Sequence, residues 1–157
     1  MAWNDYEKLI ASISESFTNN PKEIKNWKVS NGKQNKIEGV SGYKHQIDVC
    51  LESDEEILLI ECKKWTKKLP VREYLTLFGR LEDILSKYPN KKVRAALVTS
   101  IEWQSGVEQL NKFYGKKLSL FQVTEIGEVA DKIHTAFIFG SANSESNING
   151  NLTPRKV

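Results

Sequence analysis

Three residues carry the first chemical signal. Asp48, Glu61 and Lys63 are spaced as Asp, twelve residues, Glu, one residue, Lys. Around them the chain reads as a hairpin. From Gln46 to Leu51 apolar and polar residues alternate, Glu55 to Lys63 forms a second strand-like run, and the acidic Glu52-Ser53-Asp54-Glu55-Glu56 between them suits the turn. A hairpin symmetric about Asp54 and Glu55 sets Ile47 opposite Cys62, Val49 opposite Ile60 and Leu51 opposite Leu58, all apolar pairs. The same register puts Asp48 opposite Glu61 and Gln46 opposite Lys63, where facing Cβ atoms lie about 4.5–5.5 Å apart. Like charges so placed repel, and a one-residue slip would turn the apolar face outward, so the register holds and a cation has to sit there. Lys63, on the face of Glu61, supplies one charge; a divalent cation held by both carboxylates supplies more. Mg²⁺ in that place would polarise a phosphoryl oxygen and lower the pKa of bound water, and the lysine would orient that water, which is the chemistry of phosphate-ester hydrolysis. The competing reading is a solvated sheet face whose acids are neutralised by Lys63 and Lys64.

The surroundings favour the phosphate ester. An apolar strand, Ile57-Leu58-Leu59-Ile60, runs into the acid and lysine, and then into a basic segment holding Lys64, Lys67, Lys68 and Arg72, which suits a phosphate backbone. Trp65 lies inside that segment and is placed either to touch nucleic acid or to pack; core packing is the commoner use of Trp3 and Trp27. The two histidines, His45 and His134, have no second His or Cys nearby and read as structural or surface residues. Cys50 and Cys62 fall on opposite faces of the hairpin, which argues against a disulfide, and both read as small buried residues. Neither a glycine-rich phosphate loop nor a nucleophilic Ser or Cys with a paired histidine is visible.

The elements that must position these residues follow from periodicity. Trp3, Tyr6, Leu9, Ile10, Ile13 and Phe17 make the stripe of an amphipathic helix over about residues 3–18. A short strand is expected near Trp27–Asn31, then a loop in which Gly39-Val40-Ser41-Gly42 implies a tight or closely approached backbone. Pro70 opens a long helix with Val71, Tyr74, Leu75, Phe78, Leu81, Ile84, Leu85 and Tyr88 on one face, ending near Pro89-Asn90. Val93 to Val98 is a buried strand, Glu102 to Tyr114 a helix stopped by Gly115, and Leu118 to Val123 a second buried strand, together a parallel right-handed βαβ unit. A last helix spans Ile126 to about Phe139. A domain over residues 1–140 and a polar, mobile tail over 141–157 are expected.

Composition agrees with one ordinary domain. The 157 residues are 39% hydrophobic and 27% charged, enough for one core and not a disordered chain. The net charge of +3 and pI near 8.8 decide nothing alone. The longest uncharged apolar run, Ile57 to Ile60, is far short of the ~20 residues of a membrane span, and Met1 to Glu7 has no secretory pattern, so a cytoplasmic protein is expected.

Gly39-Val40-Ser41-Gly42-Tyr43-Lys44-His45-Gln46-Ile47-Asp48-Val49 with Leu58-Leu59-Ile60-Glu61-Cys62-Lys63 resembles the PD-(D/E)XK nuclease superfamily and, within it, the Mrr-like restriction endonuclease group. The resemblance extends over about residues 3–125 and includes Ala96-Leu97-Val98-Thr99-Ser100 leading into a helix and then Leu118-Ser119-Leu120. It implies an α/β, restriction-endonuclease-like three-layer fold, with a central mixed sheet flanked by helices, and Mg²⁺-dependent hydrolysis of nucleic-acid phosphodiesters. Carried over by position, Asp48 and Glu61 are the acids and metal ligands, the Cys62 backbone carbonyl is a further ligand, Lys63 is the motif lysine, and Glu7 matches a first-helix glutamate near the metal. The motif proline is absent, Ile47 standing before Asp48.

The expectation is a DNA endonuclease using Mg²⁺, with Mn²⁺ as a substitute. Asp48, Glu61, Lys63 and Glu7 would form its site, and Lys64, Lys67, Lys68, Arg72 and Trp65 would contact DNA. One site per domain makes a homodimer the natural way to cut two strands. The alternatives are a non-cleaving module that binds nucleic acid or protein on the same fold, and a structure-selective nuclease of junctions or RNA. No reader domain accompanies the catalytic region, so a separate target-recognition partner is a further expectation.

Overall fold

In the computed structural model, residues 28–31, 35–64 and 66–123 are described. The strands are β1 (Lys28–Asn31), β2 (Lys36–Glu38), β3 (Lys44–Gln46), β4 (Val49–Glu52), β5 (Glu56–Lys63), β6 (Lys92–Thr99) and β7 (Leu118–Gln122). The helices are α1 (Val71–Lys87), between β5 and β6, and α2 (Ser105–Phe113), between β6 and β7. The expected helices at 3–18 and 126–139, the tail at 141–157, and Trp3, Glu7, Trp27, Trp65 and His134 lie outside the described residues.

A five-stranded sheet is ordered β1-β4-β5-β6-β7, with β1, β4 and β5 antiparallel and β5, β6 and β7 parallel. The class is therefore α/β, with a central mixed sheet and helices joining its parallel strands. Its centre follows from the sequence: Ile57-Leu58-Leu59-Ile60 and Ala95-Ala96-Leu97-Val98 do not alternate, as strands buried on both faces should not. One face, with Cys50, Ile57, Leu59, Ala95 and Leu97, packs on Tyr74, Leu77, Leu81 and Ile84 of α1. The other, with Val49, Leu51, Leu58, Ile60, Cys62, Ala96 and Val98, is buried as well.

The hairpin register is as expected, Val49 facing Ile60 and Leu51 facing Leu58. The continuous strand over Gln46 to Leu51 is not. The chain breaks at Ile47 and Asp48, and Lys44–Gln46 pairs instead with Lys36–Glu38 in a separate two-stranded sheet, so Gln46 faces Lys36 and not Lys63. The segment expected to be a loop is thus mostly a second hairpin. Asn35 fixes the break: its side-chain amide donates to the Ser30 and Ile47 carbonyls at 3.1 and 3.0 Å, and the Ile47 N–H donates to the Asn35 carbonyl at 3.1 Å. The kink also sends Ile47 into the α1-facing core, not onto the Val49 face expected for it.

α1 carries the small hairpin. Asp83 accepts from the Ser41 N–H (2.9 Å) and hydroxyl (2.7 Å) and meets His45 Nε2 at 2.6 Å; these contacts pull its carboxyl down to about 2. His45 is structural, as expected. Gly42 has φ +85, and a Cβ on Gly39 would sit 1.9 Å from Asp83 Oδ2, the close approach the glycines implied. Gly39→Ala should therefore cost about 1–3 kcal/mol in denaturant titration, because either the hairpin or Asp83 must move.

The buried stripe of α1 is rotated from the expected one: Leu77 is 1% exposed whereas Leu75 is 47% exposed. At the other end of the layer, Asn111 of α2 is buried and accepts from the Tyr74 hydroxyl (3.1 Å) and the Leu118 N–H (3.2 Å), while donating to the Leu118 carbonyl (2.9 Å). Asn111→Ala strands these groups away from water, and a loss of about 2 kcal/mol is expected by thermal or chemical melting. α2 begins at Ser105, three residues later than expected, because Leu69 and Trp103 first form a parallel bridge.

Candidate active site

Glu61 continues the row of Ile57 and Leu59 on the face of β5 that packs against α1, and it is 3% exposed. A buried carboxylate needs partners. Arg80 of α1 supplies the first: its Nη1 donates to Glu61 Oε1 and, at 3.2 Å, to the carbonyl of Gln46. Asp48, half-buried at the strand break, lies beside Glu61, and its Oδ2 accepts the Cys62 N–H at 2.9 Å. Lys63 Nζ stands 4.0 Å from Glu61 Oε2 and 3.3 Å from Glu73 Oε2, in the first turn of α1.

Burial, and then the neighbouring Asp48, push the Glu61 carboxyl from 4.5 up to about 8, while Lys63 and Arg80 pull against that rise. Two acids held together at the end of a central strand thus carry more negative charge than their surroundings favour. Burial also raises both thiols, Cys50 to about 12 and Cys62 well above its usual range, so neither is a ready nucleophile. Both cysteines are free.

Asp48, Glu61 and Lys63 are therefore brought together by the fold. The basic segment follows directly: Lys64 and Lys67 are exposed, Lys68 Nζ lies 3.6 Å from Glu102, and Arg72 Nε lies 3.7 Å from Glu73. The pairing of Lys68, two-thirds exposed, is worth little in water and yields readily to a phosphate. Leu69 anchors the end of the segment, its N–H donating to the Glu102 carbonyl at 2.8 Å and its carbonyl accepting from the Gln104 N–H at 3.0 Å. Arg80 and Glu73 were not expected. Each is a charged residue off the expected apolar stripe of α1, and only the rotation of that helix turns Arg80 to the acids. The competing reading gives Lys64 a share in neutralising the acids; Arg80 makes that contact.

The donor set suits a hard divalent cation. Among the described residues no three His, Cys, Asp or Glu side chains gather into a ready cage. A pair of carboxylates is what Mg²⁺ commonly takes from a protein, keeping water and substrate oxygens for its remaining positions. Asp48 and Glu61 would hold such an ion; the Cys62 carbonyl lies between Glu61 and Lys63 in sequence.

No family model matches the chain, and no curated protein sequence does either. Among solved structures, the chain is similar to a protein of unknown function, AF1548, at 17% identity and TM-score 0.48, covering 69% of this chain and 58% of that one. A repair endonuclease from Pyrococcus abyssi gives 18% identity and TM-score 0.45 over 71% of this chain and 45% of that one. EndoMS in complex with double-stranded DNA gives 21% and 0.45 over 71% and 44%. The chain thus spans about half the length of these structures. Among the described residues, no helix is long and apolar enough to cross a membrane.

Proposed function

We propose that the chain is a Mg²⁺-dependent endonuclease that hydrolyses DNA phosphodiester bonds, of the Mrr-like kind its motif resembles. The observation that supports this best is the convergence of Asp48 and Glu61 at the end of a central strand, with Lys63 beside them and a basic segment following. When bound, the cation would supply polarisation of the phosphoryl oxygen and acidification of water.

The chain's own residues do the rest. Asp48 and Glu61 bind the ion, and the Asp48 bond to the Cys62 N–H fixes one carboxylate against β5. Glu73 holds Lys63 Nζ at the edge of the site, from where the lysine orients the attacking water and steadies charge developing on the phosphate oxygens. Lys64, Lys67, Lys68 and Arg72 hold flanking phosphates, with Trp65 against the nucleic acid and Glu7 assisting the ion or water. Mn²⁺ substitutes for Mg²⁺. A cytoplasmic homodimer pairs two sites for double-strand cutting, and a separate partner selects the target; a monomeric mass by light scattering, with and without DNA, would remove the dimer.

The test is a panel of end-labelled duplex, single-stranded and branched DNA and RNA incubated with Mn²⁺. Cleavage of DNA is expected. Cleavage of branched DNA or RNA alone would give the structure-selective nuclease. Binding without cleavage throughout would overturn the reading in favour of a binding module.

A further inference from the structure

We propose that Arg80 holds Glu61 in the cation-free protein, as its counter-ion whenever that carboxyl is ionised, and that a divalent cation must displace it, so that Arg80 sets the affinity of the site for metal. The inference rests on the reading of Asp48 and Glu61 as cation ligands. Arg80 belongs to no part of the acid and lysine motif; it arrives from α1, a separate element. Its guanidinium bridges Glu61 Oε1 and the Gln46 carbonyl, tying together the two segments that carry the acids. It therefore stands where the repulsion between those acids calls for positive charge.

The two ends of this ion pair differ in freedom. The Glu61 side chain is 4% exposed and fixed on a central strand, whereas that of Arg80 is 27% exposed on a helix edge. Arg80 can withdraw toward water without disturbing the sheet; Glu61 cannot. A guanidinium and a divalent cation on one buried carboxylate repel each other, so binding of the ion weakens the hold of Arg80. Lys63 is a poor substitute, since it is 4.0 Å from Glu61 and closer, at 3.3 Å, to Glu73.

The experiment is calorimetric titration of Mn²⁺ into the full chain, as wild type, Arg80→Ala, Arg80→Lys and Arg80→Gln, each with melting curves in EDTA and in saturating Mn²⁺. Arg80→Ala should bind Mn²⁺ about tenfold more tightly, the scale of a lost charge-assisted hydrogen bond, and Arg80→Lys should stay nearer wild type. Arg80→Ala should also melt below wild type in EDTA and gain more from Mn²⁺ than wild type does. A merely structural arginine would lower both curves alike. Unchanged or weaker Mn²⁺ affinity in Arg80→Ala, alongside normal uptake by wild type, would overturn the role of Arg80 alone. No uptake by wild type or any variant would instead sink the cation site and this inference with it. Should Arg80→Ala fail to fold, Arg80→Gln carries the same comparison.

Discussion

Lys63→Ala should slow phosphodiester cleavage by roughly 10²–10⁴-fold, the usual contribution of a positioned proton-handling or charge-stabilising group. It should do so without weakening Mn²⁺ uptake. Lys63 lies 4.0 Å from Glu61 and shares its charge with Glu73, so removing it takes positive charge from the acids and cannot make them poorer ligands. Asp48→Asn should behave differently, losing uptake and cleavage together. The pair of variants thus separates binding the ion from using it, read by calorimetry and by cleavage rate on one preparation. A Lys63→Ala protein that cleaves like wild type would remove the lysine from the mechanism.

Cation affinity should rise steeply with pH, by as much as tenfold per unit below about pH 8, and then level off. The cause is Glu61, whose carboxyl is raised to about 8 by burial and by Asp48, so an arriving cation must expel a proton. Stability without metal should move the other way. A carboxyl raised in the folded state adds stability that is fully present below its unfolded value of 4.5 and is lost as pH climbs through about 8. Melting of the metal-free protein should fall over that range, and Glu61→Gln should flatten the fall. Proton release measured in two buffers of different ionisation enthalpy checks the first half; melting against pH checks the second. Affinity that is flat between pH 5 and 8 would mean that the Glu61 carboxyl is not raised and would overturn this prediction.

The sequence made the hairpin legible because its apolar pairs allow one register, and Val49, Leu51, Leu58 and Ile60 take it. The parallel unit from β6 to β7 was legible for a similar reason, since two apolar strands joined by a helix leave few other arrangements. The break at Ile47 and Asp48 was not. It depends on the side chain of Asn35, twelve residues before Ile47, whose bonds to two carbonyls no local pattern announces. Arg80 was hidden by a small rotation: the expected stripe ran through Leu75, whereas the helix buries Leu77, and that turn brings Arg80 to Glu61. Asp83 was hidden in the same way, although the glycines at 39 and 42 signalled that something approached the hairpin closely. Local patterning gave the acids and the lysine; the residues that hold them come from packing between distant segments.

The most direct test of the proposed activity is the nicking of supercoiled plasmid by wild type and Asp48→Ala, prepared identically, in Mg²⁺ and in EDTA. Wild type should convert plasmid to nicked or linear form only in Mg²⁺, and Asp48→Ala should leave it supercoiled in both. Nicking by wild type in EDTA, equal nicking by Asp48→Ala, or intact plasmid under every condition would contradict the proposed activity.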